Sequence, residues 1–472
     1  MTLASRLVAA AAAIFIAGCS SLATTENLAS VQEFGQSRLG VAVKSLDSEE
    51  ARRQAQVELD ALLQAPLSSD DAVRVALAYS PSFQALLAQG AAQSAAATQS
   101  ARLPNPVFAL ERLVRRENGM AEVELTRSLA FSIVDLLFIP ARLELAGYQQ
   151  QLLRMRGAGA VLQAAGQARQ AWVRAVSAQQ ALAYHQQVQE AADAGAELAK
   201  RMQAVGNFSR LDRAREHAFY ADATARLARA RQSALASREA LVRVLGLDEE
   251  RARALNLPDR LPDVPAAPRD ARALEQFALD QRIDVQIARA ELARTARSQG
   301  LTRVASFVDG LHLKGIYTTE TGLAPRKGFE LAFPLPIFDF GDARRAEARA
   351  LYMAALWRTA QVAVDAASQT RESHAAYRTA YDLARHYRDE VVPLRKVIAD
   401  EMVLRYNGML VSVFELLAES REQVASVILS LDAQRDFWLA DAALQSTLLG
   451  NPMTGASMSV EMPAGDAPAA RH

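Results

Sequence analysis

The sequence is poor in cysteine and in aromatic residues, and it has no excess of either charge. Its single cysteine, Cys19, excludes a disulfide bond within the chain. Aromatic residues make up 6% of the 472 positions, too few for several compact β-rich cores. Basic and acidic side chains number 53 each, so nothing in the charge balance indicates a nucleic-acid partner. The abundance of alanine, arginine and glutamine favours long helices instead.

Sequence motifs for catalysis are also absent. There is no G-x-S-x-G, no P-loop and no H-E-x-x-H. The six histidines include no pair spaced by three or four residues, so no two of them share one helical face as metal ligands would. The sequence therefore predicts neither an enzyme nor a bound cofactor or metal ion.

The N-terminus predicts a lipoprotein signal peptide over residues 1–18. Arg6 precedes the apolar run LVAAAAAIFIAG, which is too short to span a membrane. The motif IAGC resembles the bacterial lipobox, in which the cysteine becomes the acylated N-terminus. Ser20 in the next position is typical of lipoproteins sorted to the outer membrane. We therefore expect a covalent lipid on Cys19, rather than a buried core thiol, and a mature chain anchored in the outer membrane and extending into the periplasm.

The rest of the sequence has no uninterrupted apolar run of about 18 residues, so no transmembrane helix is expected. A lipid-anchored chain that enters the membrane more deeply would have to do so with strands.

A repeat with a constant offset of 202 residues organises the chain. The tripeptide LAF at 129–131 recurs at 331–333, and Gly206 recurs as Gly408. A segment with four prolines separates the two copies and reads as an extended linker. The predicted organisation is a lipid-anchored extension (19–65), a first repeat (66–256), the linker (257–270), a second repeat (271–450) and a flexible tail (451–472).

Each repeat predicts the same order of elements: a helix, two strands, a long helix and a returning helix. In the first repeat the strands lie within 106–131, and the helices span 140–206 and 209–245. In the second repeat we expect a helix over 274–305, strands near 308–320 and 327–335, and helices over 342–406 and 412–448. Pro393 predicts a kink in the long helix of the second repeat.

Helices of this length must pack lengthwise on neighbours, and both returning helices have apolar seams at coiled-coil spacing. One seam consists of Leu211, Ala214, Ala218, Ala221, Ala225 and Ala228, and the other of Val413, Leu417, Val424, Val427, Leu431 and Trp438. Periodicity alone leaves an alternative open, a periplasmic coiled-coil lipoprotein that acts as an adaptor or scaffold without a pore.

The predicted strands alternate apolar and polar residues, as strands of outer-membrane barrels do. In GLHLKGIY, Leu313 and Tyr317 share one face and Lys314 lies on the other. The first strand fits less well, because Glu111 and Arg112 lie on opposite faces. Four strands cannot close a filled barrel, whereas three chains would supply twelve. The fold class is therefore mainly α with a small β part, a long helical coiled-coil barrel plus four membrane strands per chain that close as a 12-stranded barrel in a trimer.

From about residue 60 to 450 the sequence resembles the TolC-like outer-membrane efflux protein family, and the lipobox is similar to that of its lipoprotein branch. The resemblance rests on DDAVRVALAYSPSFQALLAQ, ARLPNPVFALE, ELAFPLPIFDFGDARRAEA and RYNGMLVSVFELLAESRE. It implies a homotrimer in outer-membrane lipid, a passive duct that passes small solutes such as drugs or metal ions from the periplasm to the exterior. It further implies a periplasmic adaptor protein and an inner-membrane transporter of the proton-driven RND type, which supplies the energy.

The resemblance also implies that the two helix-to-helix turns, VGNFSR and YNGMLVS, are periplasmic tips where the adaptor docks and the tunnel closes. Gly206 and Gly408 fit the position after a helix end that favours positive φ. Asp212 and Glu415 are candidates for a tunnel gate, an acidic ring that would select cations or bind a metal ion, and the alternative is a solvated helix face. The residues assigned to the tips are Gly206, Asn207, Ser209, Arg210, Tyr406, Asn407, Gly408 and Ser412.

The transition from strand to long helix occurs twice, at 128–146 and at 330–348. Prolines remove ladder donors there, Asp339 or Asp342 can cap the new helix, and Gly341 gives the backbone room to turn. Gly341 has no counterpart in the first copy, so we expect that junction to be built differently. The residues assigned to the junctions are Pro140, Arg142, Pro334, Pro336, Asp339, Gly341 and Arg344.

Overall fold

The computed structural model describes residues 19–117, 120–269, 281–305, 311–333, 335 and 337–450. The predicted signal peptide and C-terminal tail lie outside these residues. The chain divides into two compact units, and each draws on both sequence repeats. The first unit contains the residues up to Phe34, Leu86–Ala158 and Ile283–Asp365, and the second contains Gly35–Ala85, Gly159–Arg282 and the residues from Ala366 onward.

The predicted order of elements is confirmed in both repeats. The first half contains α1 (Cys19–Leu39), α2 (Glu49–Leu62), α3 (Ser69–Tyr79), α4 (Pro81–Ala101), β1 (Val107–Glu117), β2 (Met120–Ser132), α5 (Ile133–Leu137), α6 (Ile139–Ala204), α7 (Arg210–Leu245) and α8 (Glu249–Ala254). The second half contains α9 (Ile283–Ala305), β3 (His312–Glu320), β4 (Arg326–Ala332), α10 (Asp342–His386), α11 (Val392–Asn407) and α12 (Val413–Leu448).

The four strands form one antiparallel sheet in the order β1-β2-β3-β4, within the first unit. The register aligns Phe108 with Leu129, and Phe131 with Leu313, which in turn faces Leu331. These five side chains lie on one face of the sheet, and all of them are exposed. Arg112 lies on this apolar face opposite Leu125, which is the irregularity that the sequence of the first strand indicated. Arg127 and Lys327 lie on the same face, each 5.9 Å from the centre of the Tyr317 ring.

The opposite face of the sheet is polar. Thr126 and Thr318 share a hydrogen bond of 3.0 Å between their hydroxyl groups, and Lys314 pairs with Glu330 at 3.3 Å. Arg115 pairs with Glu122 across β1 and β2 at 2.8 Å. The sheet therefore has the two-faced character that the alternating sequence predicts.

The predicted kink at Pro393 takes the form of a π-helical turn over Tyr387–Val391, between α10 and α11. Proline has no N–H group to bond to the carbonyl four residues earlier, so the α-helical ladder is interrupted there. The N–H group of Val392 bonds instead to the carbonyl of Tyr387, five residues back.

The proline-rich linker packs against helices of the second unit. Leu261 and Val264 are buried. The indole Nε1 of Trp438 donates to the carbonyl of Pro262 at 2.9 Å, and Arg388 donates to the carbonyl of Val264 at 3.0 Å. The linker thus contributes to a core cluster formed by Val264, Tyr377, Ala380, Tyr381, Ala384, Phe437, Ala440 and Leu444.

The two predicted coiled-coil seams differ in burial. All six members of the alanine-rich seam on α7 are exposed, while this helix buries Glu216, Ala223 and Leu227 instead. The bulkier seam on α12 is half-buried throughout. Within one chain, therefore, α7 packs through a different face from the one that its heptad spacing indicates.

Hydropathy distinguishes these helices from membrane-spanning ones. In the parts of the chain that the structure describes, no helix is both long enough and apolar enough to cross a membrane.

Candidate functional site

The first predicted tip connects α6 to α7 through a left-handed glycine. Gly206 has φ of +84°. The N–H group of Asn207 bonds to the carbonyl of Met202 at 2.9 Å, and that of Gly206 bonds to the carbonyl of Gln203 at 3.1 Å. This pair of bonds is a Schellman motif, which satisfies carbonyl groups at the end of α6 and reverses the chain.

The second tip uses the same motif one residue later in the repeat. Leu410 bonds back to the carbonyl of Arg405 and Met409 to that of Tyr406, both at 2.9 Å. The left-handed residue is therefore Met409, with φ of +59°, and not Gly408, whose φ is −81°. A side chain in this conformation costs roughly 1–2 kcal/mol relative to glycine.

Both gate candidates lie in the first turn of a helix, where their carboxylates take part in capping. The hydroxyl of Ser209 accepts from the N–H group of Asp212 at 3.1 Å and donates to its carboxylate at 2.6 Å. Ser412 and Glu415 form a complete capping box, in which each side chain bonds to the backbone of the other residue. Each acidic side chain therefore stabilises a helix N-terminus, whatever further role it has.

Charges beside the tips pair locally. Asp212 lies 3.6 Å from Arg215, and Arg213 donates to the side-chain carbonyl of Gln203 at 2.8 Å, across the turn. Arg210 begins α7. The partner of Asp212 is therefore Arg215, three residues further along the same helix.

Two contacts join the α6–α7 hairpin to the α11–α12 hairpin near the tips. The rings of Phe208 and Phe414 lie 4.6 Å apart between centroids, and Phe208 is buried. Two turns into the helices, the carboxylate of Glu216 on α7 lies 2.5 Å from the guanidinium of Arg421 on α12. The side chain of Glu216 is only 7% exposed, so this ion pair is largely shielded from water.

The guanidinium of Arg421 is also held by an aromatic ring. It stacks 4.7 Å above the ring of Phe219, which belongs to the same helix as Glu216. Val188, Ala192 and Ala223 form a small buried cluster beside this stack. We call the Glu216–Arg421 pair and the Phe208–Phe414 stack together the inter-hairpin contact. Neither pair follows the 202-residue offset, so the repeat alone gave no signal for them.

The second strand-to-helix junction turns at Gly341, with φ of +70°. The Asp339 carboxylate accepts from the N–H group of Gly341 at 2.7 Å and pairs with Arg344 at 2.9 Å. These two bonds, with the arginine first, lower the pKa of Asp339 below its ordinary value. The helix α10 begins directly afterwards at Asp342. Pro334 and Pro336 lie outside the described residues.

The first junction is built differently, as its lack of a matching glycine predicts. Ser132 caps the short helix α5 by accepting from the N–H group of Asp135 at 3.2 Å. Asp135 forms an ion pair with Arg142 in the first turn of α6, which contains Pro140 as its second residue. Arg142 and Arg344 occupy equivalent positions in the two repeats, and each forms an ion pair with an aspartate of its junction. Sequence comparison of the repeats did not single out Asp135, because its position is shifted relative to Asp339.

The predicted lipidation site occupies the start of the described chain. Cys19 is the first residue of α1. Acylation of Cys19 remains a prediction from the sequence.

No family model matches the chain, and no curated protein matches it significantly in sequence. Solved structures, however, share its fold. A membrane protein from Pseudomonas aeruginosa is 19% identical with a TM-score of 0.69, over 80% of this chain and 93% of that one. The outer-membrane protein VceC from Vibrio cholerae is 16% identical with a TM-score of 0.67, over 86% and 99%.

The open state of the MtrE outer-membrane channel from Neisseria gonorrhoeae is 18% identical with a TM-score of 0.67, over 80% of this chain and 88% of that one. The chain therefore has the fold of TolC-like outer-membrane channels, as the resemblance predicts. The matched structures OprN and MtrE are both described as outer-membrane channels, and neither is described as an enzyme.

Proposed function

We propose that the protein is the outer-membrane channel component of a tripartite efflux pump. In this role three copies form a passive duct that passes small solutes, such as drugs or metal ions, from the periplasm to the exterior. The fold shared with outer-membrane channels supports this proposal.

The observation that carries the proposal is the four-stranded sheet with its exposed apolar face. Phe108 and Phe329 are 63% and 79% exposed, although the sheet has a polar face on its other side. Such a face suits lipid, where apolar side chains point outward and polar ones line a lumen. The outer edges of β1 and β4 pair with no other strand of the described chain, so both are open to strands of further copies. Three copies would supply twelve strands.

The helical hairpins suit docking and closure. Their tips are short and well capped, and Tyr406, Met409 and Leu410 are exposed there. In this proposal the tip residues bind a periplasmic adaptor protein, which links the duct to an inner-membrane transporter of the proton-driven RND type. Asp212 and Glu415, repeated in three chains, form acidic rings at the gate.

Lipidation of Cys19 belongs to the same proposal. A single acyl chain gives only marginal membrane binding, and two or more signals anchor stably. A lipidated Cys19 together with an inserted sheet would hold the channel in the outer membrane and leave its helices in the periplasm.

The alternative role, a periplasmic coiled-coil lipoprotein without a pore, leaves the apolar face of the sheet in water. Native mass spectrometry in detergent and heat-dependent migration on gels discriminate between the two roles. We expect three chains per particle. On gels the unboiled sample should run as a trimer and migrate faster after boiling, because heat unfolds the closed sheet and separates the chains. A monomer that stays soluble after Cys19→Ala would contradict the proposal.

A further inference from the structure

A basic cavity of ≈ 670 Å³ lies between α9 and α10, next to the second junction in the first unit. Its lining residues are Gln299, Arg345, Ala346, Arg349, Ala350 and Met353. Arg345 and Arg349 are four residues apart on α10, so their guanidinium groups share one helical face. The described lining includes no carboxylate, and the cavity is therefore suited to an anion.

One of the two arginines is fixed by the junction itself. Arg345 donates from Nη1 to the carbonyl of Phe340 at 2.8 Å. The nearby carboxylate of Asp339 pairs with Arg344 at 2.9 Å, and the positive charge of Arg345 also helps to lower the pKa of Asp339. The cavity is thus joined directly to the chain that precedes α10.

That preceding chain is apolar and exposed. Leu335, Ile337, Phe338 and Phe340 are between 61% and 97% exposed. The segment follows β4 and continues the apolar surface of the sheet, where Phe329 and Leu331 are also exposed. Over residues 337–340 the backbone is irregular, and exposed irregular backbone is not tolerated within the hydrocarbon core of a membrane. The segment therefore suits the boundary between acyl chains and headgroups.

We propose that the cavity binds the phosphate headgroup of an anionic phospholipid, whose acyl chains lie against Ile337, Phe338 and Phe340. The order along the chain matches an amphiphile: apolar sheet, apolar segment, then two guanidinium groups. Basic pockets of this kind bind anionic headgroups at membrane surfaces. The inference rests on the proposed outer-membrane function and adds a lipid ligand in the periplasmic leaflet.

The test uses the purified full-length protein in non-ionic detergent. Phosphatidylglycerol and phosphatidylcholine are titrated separately, and bound lipids are counted by native mass spectrometry. We expect tighter binding of phosphatidylglycerol by wild type. The double variant R345Q/R349Q should bind it about 30-fold more weakly, because each arginine near an anionic lipid contributes about fivefold.

Two further variants make the result specific. R52Q/R53Q removes two exposed charges from α2, in the second unit, and should leave lipid binding unchanged. F338S/F340S should weaken phosphatidylglycerol binding while leaving the arginines in place. Inorganic phosphate at the same concentration as the lipid should compete weakly, because it has no acyl chains to contact the apolar segment. Equal competition by phosphate would overturn the lipid assignment.

Lipid binding is measured independently of conductance, which separates this inference from the proposed function. A wild-type protein that conducts but does not prefer phosphatidylglycerol would overturn the site and leave the channel role intact. So would R345Q/R349Q with wild-type lipid affinity. A loss of trimers in that variant at unchanged lipid affinity would assign the two arginines to contacts between copies.

Discussion

The inter-hairpin contact predicts that Glu216→Gln loosens both tips together. The substitution keeps the size of the side chain and removes its charge, leaving the Arg421 guanidinium without a counter-ion beside the Phe219 ring. Among the described residues the buried Nε atom of Arg421 has no hydrogen-bond partner, so the bond from Nη2 to Glu216 is the one that holds the buried part of this guanidinium.

The burial of the pair sets the magnitude. Breaking a fully buried ion pair costs about 3–5 kcal/mol, whereas exposed pairs are worth about 0–1 kcal/mol. Glu216 is 7% exposed and Arg421 is 34% exposed, which places this pair between the two limits. We expect a cost of about 2 kcal/mol in the free energy of local opening, or about 30-fold faster amide exchange.

Hydrogen exchange followed by mass spectrometry on the intact assembly measures this opening. Exchange should accelerate in peptides of α7 and also of α12, because the pair joins the two hairpins. Glu401→Gln is the matched control, since it breaks an exposed pair with Arg405 on a single helix and should change exchange by threefold or less. Arg421→Met completes a double-mutant cycle. Costs that simply add, or faster exchange confined to α7, would refute the coupling between hairpins.

Three further predictions concern the turns and the linker. Met409→Gly should raise the free energy of local opening at the second tip by about 1 kcal/mol, because glycine adopts positive φ without strain. Gly206→Ala should lower the free energy of opening at the first tip by about 1–2 kcal/mol. Amide exchange that slows in Gly206→Ala or accelerates in Met409→Gly would contradict the assigned φ values. Trp438→Phe should expose the linker to protease, because it removes the bond to Pro262 worth about 1 kcal/mol; unchanged cleavage of 257–269 would count against this packing. Hydrogen bonds from two arginines lower the pKa of Asp389 to about 2 from an ordinary 3.8, so its stabilisation is present above pH 3.8 and is lost as pH falls through 2. Asp389→Asn should therefore flatten the dependence of Tm on pH in that window, and an unaltered slope would argue against the pairing.

The fold was predictable from the sequence because its determinants are local and repeated. Alternation of apolar residues indicated the strands, and long stretches without proline indicated the helices. Pro393 located the interruption of the long helix because a missing N–H group acts within one turn. Each of these signals depends on neighbours in the chain, so a sequence pattern suffices.

The features of the candidate site that the sequence did not predict depend on packing between segments that are far apart in the chain. Glu216 and Arg421 are on helices whose relative register is set by the fold, and no spacing rule relates them. We expected Gly408 to have positive φ, but Met409 does, because the second turn closes its hydrogen bonds one residue later than the first. The alanine seam of α7 had the right spacing for a contact, yet the chain packs another face of that helix.

Single-channel conductance of the purified protein in a planar bilayer tests the central claim most directly. We expect discrete openings, and we expect Asp212→Asn with Glu415→Gln to reduce cation selectivity, because the acidic rings would lose their charge. Ser209 and Ser412 stay in place as helix caps in that variant. Absence of any conductance from properly assembled trimers, in wild type and variant alike, would contradict the assignment of this protein as a channel.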